Sequence, residues 1–388
     1  MKFQHLSTAA LAAATASALP SYPIMRRQTN ATGRVLLSNS GKIYLADYTG
    51  SSFEITMTED DAGHSASWMA YSQPDLLYAV DENGDLLRVF ELDVAGDKLE
   101  KKAEEAGSTG VVHLEFNKER TRMVGAAYGE GTVDVWDISD GGLSLMKTIV
   151  SEDDLGPNKE RQAAAHPHQS VLDPSGRFFA VNDLGTDHIL LIDSADDAFE
   201  VVNSVAVTPA GAGPRHGAFY PANADKATHY MVLCEIKNII VVYELSYTDS
   251  SIEFNQIQEI SSFDPDFTPA EDAAAGELAI IGDHVYISNR LTGADTDDIT
   301  HFRVSNCSSG KLELKFSDSV STGGGRPRMF SAASSGAELL VGNQDGALGL
   351  VAIGIKEDGA LETTFRATVE ASVFGEVGFG PAFVQQIA

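Results

Sequence analysis

The sequence predicts an all-β fold, and three observations lead to that class. One pattern occurs seven times: an apolar strand, a polar turn rich in Pro, Gly and Asp, a second apolar strand that ends in a polar residue, and a third strand of alternating character. The last four copies begin at His168, Arg215, Glu277 and Arg328, spacings close to the roughly 40 to 50 residues of a four-stranded blade. Few windows keep apolar residues at helical spacing without interruption by Gly or Pro. Seven copies therefore predict a seven-bladed β-propeller.

The copies can be followed in chain order. A shortened first copy starts at Val35 with VLLSNSGKIYLADY, and further copies start at Ser67 and Val111. The clearest copy is HQSVLDPSGRFFAVND from His168, in which two apolar strands flank an Asp-Pro-Ser-Gly turn. We expect residues 34–388 to form a single domain whose ring is closed by the terminal segment FVQQI. A β-sandwich with accidental similarity is the alternative, but it would not make two strands, their turn and their spacing recur together.

The N-terminal segment has the features of a secretory leader. Lys2 supplies a positive charge, Leu6–Ala16 supplies a short apolar run, and Ala16-Ser17-Ala18 is a small-residue cleavage site. We therefore expect residues 1–18 to be a signal peptide and residues 19–33 to be a propeptide or flexible N-terminus, with a second cut at the basic pair Arg26-Arg27. The sequons at Asn30 and Asn306 are expected glycosylation sites on exposed loops of a secreted, extracellular chain.

The composition argues against several classes of partner. The chain has 56 Asp and Glu against 27 Lys and Arg, a formal charge of −29 at pH 7, which repels nucleic acid and anionic membranes. No stretch approaches the roughly 18 uninterrupted apolar residues of a membrane span. Cys234 and Cys307 could form one disulfide, although Cys234 lies in an apolar strand. We expect a monomer, because a propeller buries most of its own strand edges.

Unusual polar residues recur at the positions that a propeller brings to one rim of its central channel. The first strand of a blade starts at one face of the ring and the second strand returns to that face. The positions before the first strands are His168, Arg215, Glu277 and Arg328, and those at the ends of the second strands are Glu82, Asp183, Glu235, Arg290 and Gln344. We expect them to form a bowl of mixed charge. The alternative is structural: the arginines would bridge blades through carboxylates, and Asp183 or Glu235 would cap turns.

The same segments resemble a known family. The stretches HPHQSVLDPSGRFFAVNDLG, GAGPRHGAFYP, GELAIIGDHVYISNR and GGGRPRMFSAASSGAELLVGNQD are similar to signature stretches of the seven-bladed lactonases typified by 6-phosphogluconolactonase and the carboxy-muconate lactonizing enzyme. The resemblance implies that His168, Arg215, Glu235 and Arg290 are catalytic. We expect substrate-binding contributions from the remaining residues of this group, which are His166, His216, Glu277, Arg328, Gln344 and Glu82. Two departures are Met329 after Arg328, where the family has a histidine, and the shortened first blade.

The resemblance implies an enzyme that hydrolyses or forms a lactone of a sugar acid or an aromatic compound, with no cofactor and no metal. Arg215 and Arg290 would stabilise charge on the carbonyl oxygen, His168 would be the general base, and Glu235 would orient it or accept ring hydroxyls. A muconate-type cycloisomerase is the neighbouring alternative. A calcium site near His166, His168 and Glu235 is disfavoured because the rim offers arginines where oxygen ligands are needed. A propeller that only binds a carbohydrate or a protein is the non-enzymatic alternative.

Overall fold

The computed structural model describes residues 33–306 and 311–388. These residues contain 29 β-strands and three short 3-10 helices, at Ser139–Gly141, Ala195–Asp197 and Ala371–Val373. Twenty-seven of these strands form seven successive sheets around a ring, which confirms the all-β, seven-bladed propeller, and the other two form a short ribbon. The predicted leader, its cleavage sites, Asn30 and Cys307 lie outside the described residues. Asn306 is the last residue of a strand.

The blades are numbered in chain order. Blade 1 contains β1 (Gly33–Tyr48), β2 (Phe53–Ser65) and β29 (Phe383–Gln386). Blade 2 contains β3 (Met69–Ser72), β4 (Leu76–Val80), β5 (Leu86–Asp93) and β6 (Lys98–Ala106). Blade 3 contains β7 (Val111–Phe116), β8 (Arg122–Ala127), β9 (Thr132–Asp137) and β10 (Ser144–Val150). Blade 4 contains β11 (Pro167–Leu172), β12 (Phe178–Asp183), β13 (His188–Asp193) and β14 (Glu200–Ala206).

The remaining blades follow the same order. Blade 5 contains β15 (Pro214–Tyr220), β16 (His229–Cys234), β17 (Ile239–Tyr247) and β18 (Ile252–Ser261). Blade 6 contains β19 (Ala274–Ile281), β20 (His284–Arg290), β21 (Asp298–Asn306) and β22 (Leu312–Ser321). Blade 7 contains β24 (Met329–Ala332), β25 (Glu338–Gly342), β27 (Leu348–Ile355) and β28 (Leu361–Glu370). A two-stranded ribbon, β23 (Gly324–Gly325) with β26 (Asp345–Gly346), accompanies blade 7.

Blade 4 shows why this sequence pattern forms a blade. Every residue of β12 is buried, because the second strand has sheet neighbours on both edges and other blades on both faces. The outermost strand, β14, is mostly exposed and carries polar residues. Between β11 and β12, Asp173 Oδ1 accepts hydrogen bonds from the backbone N–H groups of Arg177 and Phe178, and Gly176 adopts a positive φ of 80°. The Asp-Pro-Ser-Gly turn therefore forms the hairpin that connects the first and second strands of this blade.

Adjacent blades pack against each other through clusters of apolar side chains between their faces. One cluster joins Val124 and Val135 of blade 3 to Phe179 and Val181 of blade 4. Similar clusters join blade 4 to blade 5 and blade 6 to blade 7. Cys234 is fully buried in the cluster between blades 4 and 5. No helix in the described ranges is long and apolar enough to span a membrane.

The ring closes by pairing the two ends of the described chain. In blade 1, Val35–Ser38 of β1 lie antiparallel to Phe383–Gln386 of β29, so the final segment supplies the innermost strand. Phe383 is 1% exposed and packs in a cluster that contains Leu36 of β1 and Leu77 of blade 2. The closure thus lies in the segment that the sequence analysis indicated.

Phe383→Ala should destabilise the protein strongly, because it leaves a cavity at the closure; a buried Phe→Ala change costs about 3–5 kcal/mol. Thermal and urea denaturation of the purified variant would measure the loss. Phe267→Ala is the matched control, since Phe267 is 39% exposed. Equal losses for the two variants would contradict a closure that stabilises the ring.

Candidate active site

The inner strands point functional side chains into the channel by means of β-bulges. In blades 3, 4 and 5 the register shifts by one residue at the same point, so that Val112, His168 and Arg215 are the extra residues. In blade 6 Gly276 and Glu277 together lie opposite the single residue Ser288, so this strand also has one extra residue at the corresponding place. A bulge re-aims a side chain that regular pleating would send toward a neighbouring blade. His168, Arg215 and Glu277 therefore lie within β11, β15 and β19, whereas the sequence analysis placed them before the first strands of their blades. Arg328 does precede β24, as predicted.

These side chains surround a depression of about 210 Å³ at the centre of the ring. Six sequence-predicted residues are among those lining it: Glu82, His168, Arg215, Glu235, Arg290 and Arg328. Directly beneath lies a void of about 10 Å³ that shares His168, Arg215 and Arg328 with the depression. His216 and Glu277 line this lower void. The structure thus brings eight of the ten predicted residues to one place.

Glu235 is the centre of a group of arginines. Its Oε2 accepts hydrogen bonds from Arg215 Nε at 2.9 Å and from Arg290 Nη2 at 2.8 Å. Its Oε1 accepts one from Arg161 Nη2. Burial alone would raise the pKa of this carboxyl, but the guanidinium groups of Arg290, Arg215 and Arg161 lower it to about 2. Glu235 is therefore an anion at all ordinary pH values.

This environment changes the expectation for Glu235. The sequence analysis expected it to orient the base or to accept ring hydroxyls. With both oxygens bonded to guanidinium groups and a pKa near 2, it is a poor proton acceptor. Its chemistry suits it to hold Arg161, Arg215 and Arg290 in place.

The arginines keep donors for a ligand. Arg215 is 2% exposed and also donates from Nη1 to the carbonyl of Gly276, while Arg290 donates to the carbonyls of Ala274 and Ala275. Burial and the nearby Arg290 lower the pKa of Arg215 to about 9, so it stays cationic at neutral pH. Among contacts with described residues, Arg215 Nη2 and Arg290 Nη1 make no hydrogen bond.

A second ion pair closes the opposite side of the depression. Arg328 Nη2 donates to Glu82 Oε1 at 2.9 Å. Burial would raise the pKa of Glu82, and Arg328 lowers it below its usual value. Blade 7 and blade 2 are thereby joined across the closure in blade 1.

His168 is the candidate base, and its imidazole is neutral. It is 6% exposed, and burial followed by the charge of Arg215 holds its pKa well below the usual value. Its Nδ1 is buried and has no hydrogen-bond partner among the described residues. Its ring lies 5.1 Å from that of His216 and 5.7 Å from that of Tyr128, centroid to centroid.

His216 and Glu277 form a buried pair behind this histidine. His216 Nδ1 and Glu277 Oε1 are 2.7 Å apart, and Oε1 also accepts the backbone N–H of Leu278 at 3.0 Å. Burial raises the pKa of Glu277 to about 8 and holds that of His216 well below its usual value. Both groups are therefore neutral at pH 7.

Two predicted residues lie elsewhere. His166 stacks on Tyr128 at 4.2 Å, with its Nδ1 2.7 Å from the Tyr128 carbonyl, and is not among the residues lining the depression. Gln344 lines a separate cleft of about 380 Å³ formed with segment 370–378. Asp183, also considered for the rim, caps its turn by accepting N–H groups of His166, Gly185 and Thr186.

Sequence reasoning missed two residues of the site. Tyr128 follows the second strand of blade 3, the position that yielded Glu82, Glu235 and Arg290, so the repeat pattern could have identified it. Arg161 had no such signal. It lies on the connection between β10 and β11, outside the repeating strands. Its guanidinium group donates to Glu235, and 41% of its side chain is exposed.

Two further observations concern sites other than the central depression. A wider cleft of about 550 Å³ lies between blade 1 and segment 374–379, but it lacks histidine and arginine among its lining residues. Within the described ranges, no group of three or more His, Cys, Asp and Glu side chains is arranged to hold a metal ion. The smaller central depression is the place where cations, a carboxylate and a neutral imidazole converge.

The fold and the depression define a seven-bladed propeller with charged side chains gathered at its centre. Residues 29–374 match the family model described as Lactonase, 7-bladed beta-propeller. The chain belongs to this family.

Particular relatives narrow the comparison. The chain is 34% identical over 247 residues to a probable 6-phosphogluconolactonase of Arthroderma benhamiae, covering 62% of this chain and 61% of that one. It is 30% identical over 234 residues to the 6-phosphogluconolactonase of Bacillus subtilis, covering 60% and 63%. The matches thus span about three fifths of these curated relatives. The periplasmic gluconolactonase of Pseudomonas aeruginosa has the same fold, with a TM-score of 0.75, 20% identity, and coverage of 92% and 99%.

Glu235→Gln should lower the melting temperature, and the loss should depend on pH. The folded-state pKa of about 2 lies below the usual 4.5. The stabilisation by this carboxylate is therefore complete above about pH 4.5 and is lost as the pH falls toward 2. Differential scanning calorimetry should show a gap from wild type that is widest near neutral pH and narrows below 4.5. The exposed Glu105→Gln is the control, and a pH-independent gap would contradict the assignment.

Proposed function

We propose that this protein hydrolyses the lactone ring of a sugar acid in the central depression, without a metal ion. The observation that carries the proposal is the combination of a buried neutral imidazole, His168, with four guanidinium groups around a space of about 210 Å³. The 6-phosphogluconolactonases among the relatives support a sugar-acid lactone as the substrate class.

The local charge favours an anionic substrate. Four arginines line the depression against two ionised carboxylates, Glu235 and Glu82, in a chain whose overall charge is −29. Guanidinium groups bind carboxylate and phosphate through paired hydrogen bonds. A lactone that bears an anionic group, or the carboxylate product, would therefore be attracted to these arginines although the overall charge is negative.

The reaction follows from the free donors and the base. Arg215 Nη2 and Arg290 Nη1 would donate to the lactone carbonyl oxygen and stabilise the negative charge that develops there. His168, neutral at pH 7, would take a proton from a water as its oxygen attacks the carbonyl carbon. Collapse of the tetrahedral intermediate breaks the ring C–O bond, and the leaving oxygen takes the proton back from His168. One lactone and one water give one hydroxy acid.

Arg161→Ala tests the site with little disturbance of the core. Because Arg161 is half exposed, its loss should leave the melting temperature nearly unchanged, while kcat/KM for an anionic aldonolactone falls on the order of 10²-fold. His168→Ala should lower kcat by roughly 10²- to 10⁴-fold. Lactone opening would be followed by proton release in buffer containing EDTA.

Arg303→Ala is the matched control, because Arg303 is 45% exposed and pairs with Asp358 at 3.5 Å on the outer surface. Normal kcat/KM in both Arg161→Ala and His168→Ala would refute the proposed site. Activity that disappears in EDTA would refute metal independence.

We also propose that the protein is exported. The leader features at Lys2, Leu6–Ala16 and Ala18 support this, and so does the acidic composition. Mass spectrometry of the protein recovered from culture medium should find Leu19 or Gln28 as the first residue. Recovery with Met1 in place would contradict cleavage.

A further inference from the structure

We propose that Glu277 is a positioning residue that acts as a neutral carboxylic acid: it donates to His216 through Oε1 and, through one water, accepts from His168 through Oε2. The effect is to keep the proton of His168 on Nδ1, which leaves Nε2 as the base that faces the substrate. This inference rests on the proposed lactone hydrolysis and assigns to Glu277 a function other than substrate binding.

The first observation is that two unpartnered polar atoms belong to residues that line the same void. Glu277 Oε2 and His168 Nδ1 are both buried without a hydrogen-bond partner among the described residues. Both residues line the void of about 10 Å³ beneath the depression. That volume is about the minimum that holds one water, and buried polar atoms are normally satisfied, often by such a water.

The second observation is that the other oxygen of Glu277, Oε1, already has a hydrogen-bond partner. Oε1 lies 2.7 Å from His216 Nδ1, a distance suited to an O–H to N hydrogen bond. In a neutral carboxyl group that donates its proton here, Oε2 is the carbonyl oxygen and can only accept. The group then joins the two histidines with one donor and one acceptor.

The third observation concerns the protonation state. Burial raises the pKa of Glu277 to about 8, although Arg215 and Arg290 oppose the shift. The titratable and charged groups around Glu277 are His168 from β11, Arg215 and His216 from β15, Arg290 from β20, and Arg328 before β24. Below about pH 8 the carboxyl is neutral, and above it the group ionises.

The tautomer of His168 follows from this arrangement. An acceptor in the lower void stabilises a proton on Nδ1, so the lone pair is on Nε2. Nε2 makes no hydrogen bond to any described residue and is the nitrogen available to a water in the depression. When Nε2 takes a proton, the positive charge is shared by the two ring nitrogens of His168, and the hydrogen bond from Nδ1–H through the water to Glu277 Oε2 stabilises it.

The closing experiment compares Glu277→Gln with Glu277→Leu. A glutamine amide has one donor and one acceptor at the positions of a neutral carboxyl, so Glu277→Gln should keep kcat on the order of the wild-type value. Leucine has neither, and Glu277→Leu should lower kcat by at least about tenfold, with KM little changed. Below pH 8, where Glu277 is neutral, the pH profile of kcat/KM, corrected for spontaneous lactone opening, should be the same in the wild type and in Glu277→Gln.

A matched control and a second readout complete the test. Glu115, in β7 and outside the depression, also has a pKa raised by burial, to about 7, so Glu115→Leu should change neither kcat nor the pH profile. Histidine ¹⁵N shifts should place the His168 proton on Nδ1 in the wild type and in Glu277→Gln, but not in Glu277→Leu.

The outcomes separate the two proposals. A wild type that opens no lactone refutes the proposed function, and the ¹⁵N shifts alone then decide the tautomer. Equal loss of kcat in Glu277→Gln and Glu277→Leu, or the same His168 tautomer in all three proteins, would overturn the role given to Glu277.

Discussion

The carboxylate of Glu235 is the group on which the depression depends. Three guanidinium groups, from β15, from β20 and from the β10–β11 connection, meet at its two oxygens. Without this anion their mutual repulsion in a buried place would be uncompensated, and burying an unpaired charge is costly. Because the three arginines come from blade 5, blade 6 and the connection into blade 4, the same interaction also fixes these blades relative to one another at the rim.

The fold could be predicted because the same strand–turn–strand pattern occurs seven times in the sequence. Most copies contain a buried second strand preceded by a polar turn, so an ambiguity in one copy is resolved by the others. The rim was predictable for the same reason: Glu82, Glu235 and Arg290 stand at equivalent strand ends, and His168 and Arg215 at equivalent bulges. Tyr128 occupies such a position too. The pattern of charged residues did not single it out, because an aromatic residue after an apolar strand is common.

The rest of the site could not be predicted from the repeat. Arg161 belongs to a connection that no other blade shares, so its approach to Glu235 depends on the path of that loop in space. Gln344 and His166 show the converse. Gln344 precedes the ribbon strand Asp345–Gly346 and lines a different cleft, and His166 stacks on Tyr128. The distinction between an ionised Glu235 and a neutral Glu277 is also beyond the sequence, since it depends on how many arginines each carboxyl meets.

The pairing of Val35–Ser38 with Phe383–Gln386 has a consequence for the order of folding. Residues separated by almost the entire chain must meet before the ring exists, and such long-range contacts form late. Ala382, next to β29, lines the void below His168, so part of the wall of this void comes from the segment that closes the ring. The lining of the void is therefore complete only after β29 has paired with β1, so formation of the candidate site is coupled to closure of the ring.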